Sequence, residues 1–281
     1  MTDMAAGTVS LAMRQILAVQ LLEIRKRFIG KRAIPVYLLV MIPLMIFGAR
    51  TLALLLFHVT QEGSLPSDRV LYAVLFRTLI IRFVVYFGCV AVFVPLFRGD
   101  VLDKSLHYYF LAPIRRSRLV VAKYLSGITA AVVLWNGVTL STWLLFYLAR
   151  GPAELAATLA SGHGWLELGA YLLVTTMACI GYGAVFLLAG VALRSPIVPA
   201  LAILGWESIN ALLPPFLKAI SVIHYLEALC PVSIPPDSGI EILADPASPW
   251  VAIPGLLVLA GVLLALAARK ARTMEILYGT E

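Results

Sequence analysis

The chain carries little charge, since Asp, Glu, Lys and Arg make up only 13% of its 281 residues. Soluble domains usually contain about twice that fraction. Hydrophobic residues account for 61% of the chain, and the mean hydropathy is +0.95. Apolar runs of about 20 residues recur along the sequence and cannot all be buried in one globular core. The composition therefore excludes a soluble domain and predicts a single integral membrane domain.

Cysteine is also scarce, and the three cysteines do not suggest a disulfide framework. Cys89 and Cys179 lie inside apolar runs, where the expected role is that of a small core filler. Cys230 lies in a predicted outer connection that contains no second cysteine. A free thiol is therefore expected there, and an intermolecular bridge is the less favoured alternative.

Residues for catalysis or metal binding do not cluster in the sequence. The four histidines are scattered. The pairs His163 with Glu167 and His224 with Glu227 each supply no more than half of a metal site. A phosphate-binding loop around residues 30–32 would need an earlier glycine and a hydroxyl residue, and both are missing. We therefore expect no catalytic, cofactor-binding or metal-binding residues in this chain.

Six apolar runs have lengths that suit membrane spans, namely residues 34–57, 72–97, 119–148, 165–193, 197–213 and 250–268. In hydrocarbon, every backbone amide must be hydrogen-bonded within the protein, which such a run achieves as a helix. The predicted fold class is all-α, a polytopic bundle of six transmembrane helices. The third and fourth runs exceed the length that a bilayer requires, so we expect them to tilt or to extend into water. Residues 34–268 would form this domain, with a lead-in of residues 1–33 and a tail of residues 269–281.

Basic residues lie mostly on one side of the predicted bundle, in the lead-in, in the connection 98–123 and in the tail. Only Arg69, Arg150 and Lys218 fall on the other side. Cytoplasmic segments of membrane proteins are enriched in Lys and Arg, so both termini and the connection 98–123 are predicted to be cytoplasmic. We expect a multi-pass protein of the plasma membrane, in a bacterium the inner membrane. The net charge of +7 is then suited to anionic lipid headgroups rather than to nucleic acid.

The lead-in contains an apolar stripe. Its members, at spacings of three or four residues, are Met13, Leu17, Leu21, Ile24 and Phe28. This spacing puts them on one face of a helix. We predict an amphipathic helix that lies in the membrane interface with this face among the acyl chains. A generic anchor is the simpler interpretation, and a lever beside the cytoplasmic connection is the alternative.

The outer connection 214–249 is rich in proline and cannot form one continuous helix. Residues 216–229 between the prolines are apolar enough to enter the membrane. They predict a short outer hairpin or a re-entrant helix before the last span. Two roles for this segment remain open, a lid over the bundle and a gate at the outer end of a substrate path.

Four charged residues, Arg50, Arg77, Arg82 and Glu207, fall within or near the predicted spans. An arginine at the bilayer centre costs about 2.5 to 3.5 kcal/mol even on a lenient insertion scale. We therefore expect these arginines to pair with Glu207 or to reach the headgroups. The alternative is contact with an anionic or lipidic substrate.

The connection 98–118 is the most distinctive segment of the chain. Two acidic residues after Gly99 and the later Pro113 predict the start and the end of a short helix. Its apolar residues follow a helical spacing and include two aromatics within a charged rim, which is typical of a protein docking surface. The predicted docking residues are Asp100, Leu102, Asp103, Leu106, Tyr109, Phe110, Arg115 and Arg116. The alternative is that the stripe packs on the membrane ends of its own chain.

The same connection resembles the second cytoplasmic loop in the membrane subunits of ABC type-2 (ABC-2) exporters. That loop typically reads Arg-Gly-Glu, further acids, a Thr-Leu pair, then Pro and basic residues before a Lys that starts the third span. Asp replaces Glu and Ser replaces Thr here, and Leu102 and Lys104 depart from the pattern. The matching residues are Arg98, Gly99, Asp100, Ser105, Leu106, Pro113, Arg115 and Lys123. The amphipathic lead-in, the six spans and the outer hairpin are also similar to this family.

The resemblance implies a permease that is not an enzyme by itself. The loop helix, called a coupling helix in this family, would dock in a groove of a separate ATPase subunit, which would hold ATP and Mg. Six spans are half of the usual transporter, so a second copy or a sister permease is implied. Small residues of the fourth span, Gly181, Gly183 and Gly190, would permit close helix contacts.

Two other classes of function fit the sequence less well. A secondary carrier or channel would have helices broken near the membrane midplane and often an internal repeat, and we find no clear repeat. A membrane-assembly subunit without an ATPase partner belongs with this alternative. An intramembrane enzyme would need a nucleophile and a base close together, which Ser141, Ser208 and the histidines do not suggest. The substrate is not specified by any residue.

Overall fold

The structure is a computed structural model that describes residues 20, 21, 23, 33–57, 65–102, 116–193, 197–210, 213–232 and 248–273. All regular secondary structure in these ranges is helical, which confirms the all-α fold class. The helices are α1 (Ile34–Leu56), α2 (Leu65–Leu75), α3 (Tyr86–Phe93), α4 (Pro95–Leu102), α5 (Arg116–Leu148), α6 (Pro152–Ala160), α7 (His163–Ala192), α8 (Ile197–Ser208), α9 (Pro215–Lys218), α10 (Val222–Leu229) and α11 (Pro249–Arg272). A π-helical segment, Phe76–Val85, joins α2 to α3.

Local sequence explains several helix boundaries. Prolines occupy the first turn of α1, α6 and α11, where the missing amide proton costs no hydrogen bond. Gly151 and Gly162 have φ of 111° and 75° and allow the sharp turns on either side of α6. Three basic residues in the last turn of α11 complement the negative end of its dipole.

Five helices in the described ranges are long and apolar enough to cross a membrane: Ile34–Leu56, Asp68–Asp100, Arg116–Leu148, His163–Ala192 and Pro249–Arg272. The second of these combines α2, the π segment, α3 and α4. Five of the six predicted spans are therefore confirmed as helices of spanning length, and the chain is a multi-pass membrane protein. The predicted span 197–213 contains α8, whose 12 residues cover about 18 Å against the roughly 30 Å of a hydrocarbon core. The six-span layout stays a prediction.

Two other expectations are changed or only partly covered. The second span continues as a helix through Gly99 to Leu102, so Gly99 and Asp100 belong to this helix and do not mark the start of a new one. The rest of the predicted docking helix lies outside the described residues. Of the lead-in stripe only Leu21 is described, and its side chain is 76% exposed, as a lipid-facing residue would be.

The helix α7 lies at the centre of the bundle and packs against α3, α4, α5, α10 and α11. Its glycines permit this packing. A Cβ at Gly183 would lie 2.6 Å from the ring of Phe93, and one at Gly190 would lie 2.8 Å from the carbonyl oxygen of Val94. The interpretation of the small residues in the fourth span is thus confirmed. Cys89 and Cys179 are buried free thiols, as expected for core fillers.

The two ends of the bundle differ in shape. We call the end that contains Leu102 and Arg116 the loop end, and the opposite end, with Asp68, Leu148 and His163, the far end. At the loop end, Nη1 of Arg116 donates to the carbonyl of Arg272 at 3.0 Å, so α5 and α11 meet there. The 33-residue α5 is nine residues longer than the 24-residue α11, or about 13 Å at about 1.5 Å per residue. The far end of α5 therefore extends beyond α11.

Candidate functional site

A buried ion cluster lies at the loop end. The side chain of Lys123 on α5 is 0% exposed. Its ammonium donates to Oδ2 of Asp100, to Oε1 of Glu23 at 2.6 Å and to the carbonyl of Leu96 at 2.8 Å. Three acceptors match the three protons of an ammonium group. We call Lys123, Glu23, Asp100 and the Leu96 carbonyl the Lys123 cluster.

The Lys123 cluster joins three separate segments of the chain. Asp100 belongs to the last turn of α4, Lys123 to the second turn of α5, and Glu23 to the lead-in. The connection 103–115 starts just after Asp100 and ends just before α5, so both stems of this loop are held by one ammonium group. Burying charges is costly unless they are paired and fully hydrogen-bonded, and loss of one partner is then strongly destabilising. The cluster therefore holds the two stems at a fixed separation.

The structure corrects the expectation for Asp100. Its side chain is 2% exposed and faces Lys123, so it does not belong to an exposed docking surface. Arg116 lies at the loop end, where it bonds the end of α11. Leu102 is the last residue of α4. The other predicted docking residues, Asp103, Leu106, Tyr109, Phe110 and Arg115, lie outside the described residues.

Sequence reasoning missed the pairing of Lys123 with Glu23. A signal for it was present, because Lys123 lies inside the predicted third span, where a buried lysine requires a carboxylate partner. Glu23 lies off the apolar stripe of the lead-in, and Gln20 nearby donates to Thr129 of α5 at 3.0 Å. The polar side of the lead-in therefore contacts α5, while Leu21 is exposed.

The two arginines of the π-helical segment contact the end of α10 and the residues after it. Nη2 of Arg82 lies 2.8 Å from Oε1 of Glu227, and Nη2 of Arg77 donates to the carbonyl of Val232 at 2.7 Å. On an α-helix, the side chains of two residues that are five positions apart project in directions that differ by about 140°. In a π-helical turn the hydrogen bonds run from i to i+5, and the two side chains project from a similar side of the helix. The π-helical turn thus places both arginines on one side. The predicted pairing of Arg82 with Glu207 is wrong, since Glu227 takes that role.

Glu207 at the end of α8 is bound to the start of α10. Its carboxylate accepts hydrogen bonds from the amides of Val222 and Ile223 at 3.0 and 2.8 Å, and from the hydroxyls of Ser221 and Tyr182 at 3.0 and 3.4 Å. The side chain is 6% exposed. A carboxylate there satisfies free amides and complements the helix dipole. Glu207 therefore caps α10 across the break between α8 and α10.

Arg50 lies near the far end of the bundle, apart from the other three charges. Its guanidinium is 4.4 Å from the ring centre of Phe146, a cation–π contact. The next residue, Thr51, donates to the carbonyl of Leu145 at 2.8 Å. The structure therefore brings Arg77 and Arg82 to one segment but does not gather all four predicted residues into a single site.

A network of ion pairs occupies the far end. Arg150 pairs with Asp68 at the start of the second span and with Glu154 of α6 at 3.3 Å. These pairs tie the end of α5 to its neighbours. Arg150 and Asp68 are both largely buried, whereas Glu154 is half exposed.

A second ion pair at the far end forms part of a cavity. Nε and Nη2 of Arg69 each lie 2.9 Å from Oε2 of Glu167, and the hydroxyl of Tyr147 donates to Oε1 of Glu167 at 3.1 Å. The cavity, which we call the far-end cavity, has a volume of about 340 Å³. Its lining residues are Arg69, Tyr147, Glu154, Ala157, Thr158, Ser161, His163, Gly164 and Glu167. Of this set, the sequence indicated His163 and Glu167 as a polar pair and Arg69 as a basic residue of the outer side.

Over the described ranges, no three His, Cys, Asp or Glu side chains converge on a place that would hold a metal ion. The thiol of the half-buried Cys230 donates to the carbonyl of Leu226 at 3.4 Å.

Comparisons with protein-family models, with curated proteins and with solved structures each gave no match.

Proposed function

We propose that this chain is the membrane permease subunit of an ATP-driven exporter of the ABC-2 type. In this function a separate ATPase subunit hydrolyses ATP, with Mg, and the permease moves the substrate. The observation that carries the proposal is the Lys123 cluster. It anchors both stems of the connection 103–115 and the lead-in to the same bundle of long apolar helices.

The cluster supplies a route for force. A partner that pushes on the connection 103–115 acts on the end of α4 and the start of α5 together, because Lys123 and Asp100 resist their separation. Both helices pack against the central α7, which also contacts α10 and α11. A displacement at the loop end is thereby passed to the helices that line the rest of the bundle.

In this mechanism the docking contacts come from the connection itself. Leu106, Tyr109 and Phe110 are the apolar anchors, and Asp103 and Arg115 belong to the charged rim. Asp100 acts from inside the protein, as a ligand of Lys123. Both termini and the connection face the cytoplasm of the cell, the bundle lies in the plasma membrane among lipids, and a second permease copy or a sister permease completes the transporter.

A secondary carrier or channel is the second candidate, and one observation favours it. The helices α8 and α10 are separated by a break, and the buried carboxylate of Glu207 lies at that break. Carriers often use short helices that end inside the membrane, with their termini at ionisable groups. In a carrier, transport would follow an ion gradient and would need no ATPase.

Affinity purification of the tagged chain from native membranes tests the proposal. The wild type should recover an ATPase subunit, and Tyr109→Ala with Phe110→Ala should lose it while inserting normally. The matched control replaces two aromatics that lie far from the connection, Phe216→Ala and Trp250→Ala, both exposed. Absence of any ATPase from the wild-type sample, or its unchanged recovery and unchanged hydrolysis with the 109/110 variant, contradicts the proposal.

A further inference from the structure

The hydroxyl groups of the far-end cavity have their protons engaged within the protein. Thr158 donates to the carbonyl of Glu154 at 2.8 Å, and Ser161 donates to the carbonyl of Thr158 at 2.8 Å. The Tyr147 hydroxyl donates to Glu167. Each of these oxygens keeps lone pairs that accept hydrogen bonds. Toward a ligand, all three hydroxyls therefore act as acceptors.

His163 has the same character. Its Nδ1 lies 3.2 Å from the carbonyl oxygen of Ser161. A carbonyl only accepts, so Nδ1 is the donor in this bond, and in the uncharged form of the ring Nε2 is then an acceptor. Glu154 adds a carboxylate whose side chain is 49% exposed, and it is the most accessible anionic group of the lining.

The lining contains one guanidinium group and two carboxylates. The guanidinium is that of Arg69, and its Nε and Nη2 are engaged by Glu167. The second carboxylate is that of Glu154, whose partner Arg150 lies outside the lining. The C-terminal end of α6 and the N-terminal end of α7 both border the cavity, and their opposite partial charges offset each other. The groups that face the cavity therefore include one more carboxylate than guanidinium.

We propose that the far-end cavity is a binding site for a small organic cation that carries a primary ammonium group. An ammonium offers three donors and no acceptor, which complements a lining of hydroxyl oxygens, an imidazole nitrogen and a carboxylate. The volume of about 340 Å³ falls at the lower end of the range of about 300 to 1,000 Å³ for small-molecule sites. Ala157, Gly164 and the ring of Tyr147 supply contacts for a short apolar chain. The proposed binding at this site does not depend on whether ATP hydrolysis or an ion gradient drives transport.

Three probes of equal size and different charge test the site: n-butylammonium, butanoate and 1-butanol. Each is titrated into the purified chain in lipid nanodiscs, and binding is followed by saturation-transfer NMR. Butylammonium should bind saturably, and the other two should bind at least about tenfold more weakly, because a charge-assisted hydrogen bond is about twice as strong as a neutral one. Raising the salt concentration should weaken butylammonium binding.

Three variants locate the binding. Glu154→Gln, which keeps the shape of the side chain, should weaken butylammonium binding by about tenfold or more. Ala157→Phe should abolish it by filling the cavity, and Ala156→Phe, at an exposed neighbour outside the lining, should not. Equal binding of butanoate, absence of saturable butylammonium binding, or unchanged binding by either Glu154→Gln or Ala157→Phe would overturn the proposal. Since Glu154 is half exposed, its variant remains a test even if Ala157→Phe does not fold.

Discussion

The indole of Trp135 on α5 occupies the space beside Gly88 on α3 where a side chain would otherwise lie. A Cβ built at Gly88 would be 1.9 Å from Cζ2 of Trp135, which is far inside van der Waals contact. Trp135 itself is completely buried. The contact sets how closely the second span and α5 approach each other, because the ring or one of the two helices must shift to accommodate an added methyl group.

Replacing Gly88 with alanine should therefore destabilise the bundle by about 1 to 3 kcal/mol or more, the usual cost of overpacking a core. The measurement is thermal unfolding of the purified chain in detergent. Gly137→Ala is the matched control, since a Cβ there has no neighbour within 4 Å. Equal melting temperatures of the two variants would show that the Trp135 contact is not close. Adding Trp135→Leu to Gly88→Ala should recover part of the loss.

Glu207→Gln should loosen the start of α10. A glutamine retains one acceptor oxygen, but it cannot accept all of the four hydrogen bonds that the carboxylate receives from residues 182, 221, 222 and 223. We expect a loss of about 1 kcal/mol, as for removal of a helix cap. The specific readout is faster hydrogen exchange at the amides of Val222 and Ile223.

The control for Glu207→Gln is Ser208→Ala. The Ser208 hydroxyl is exposed and bonds only to the carbonyl of Leu204 within its own helix. Exchange at Val222 and Ile223 should be unchanged in this variant. If both variants protect these two amides as well as the wild type does, Glu207 is not their cap.

A charge swap tests the partner of Arg82. Arg82→Glu alone places two carboxylates together and should cost about 1 kcal/mol, since the pair with Glu227 is partly exposed. The double variant Arg82→Glu with Glu227→Arg should recover part of that loss. The double variant Arg82→Glu with Glu207→Arg should recover none and should add the loss of the α10 cap. Melting temperatures of the four proteins decide between the two partners.

Hydropathy predicted six spans, and five of them are helices of spanning length, because an apolar run of about 20 residues has few alternatives to a membrane helix. It did not predict that the second span continues through Gly99, because packing on the central α7 stabilises the helix beyond what a glycine costs. The position of Arg82 within a predicted membrane span indicated that this arginine needs a partner. The sequence did not distinguish Glu227 from Glu207 as that partner, since the pairing depends on the π-helical turn and on the path of α10. The far-end cavity was also out of reach, because its lining comes from the second span, α5, α6 and α7 together.

The Lys123 cluster gives the most demanding prediction, because one buried ammonium group joins two buried carboxylates. Glu23→Gln keeps an acceptor oxygen for Lys123 and leaves its pair with Asp100 intact, so it should change stability little. Lys123→Met leaves two buried carboxylates without their shared partner and should cost about 3 to 5 kcal/mol.

The triple variant Lys123→Met, Glu23→Gln and Asp100→Asn removes all three charges and should be more stable than Lys123→Met alone, because no buried carboxylate remains unpaired. Thermal unfolding of the four proteins gives the order wild type, Glu23→Gln, triple variant and Lys123→Met, from most to least stable. A Glu23→Gln variant as unstable as Lys123→Met would mean that the lead-in carboxylate, rather than Asp100, is the principal partner of the lysine. In that case Lys123 would hold the lead-in to α5 instead of joining the two stems of the connection, and the route for force proposed above would have to pass through the lead-in.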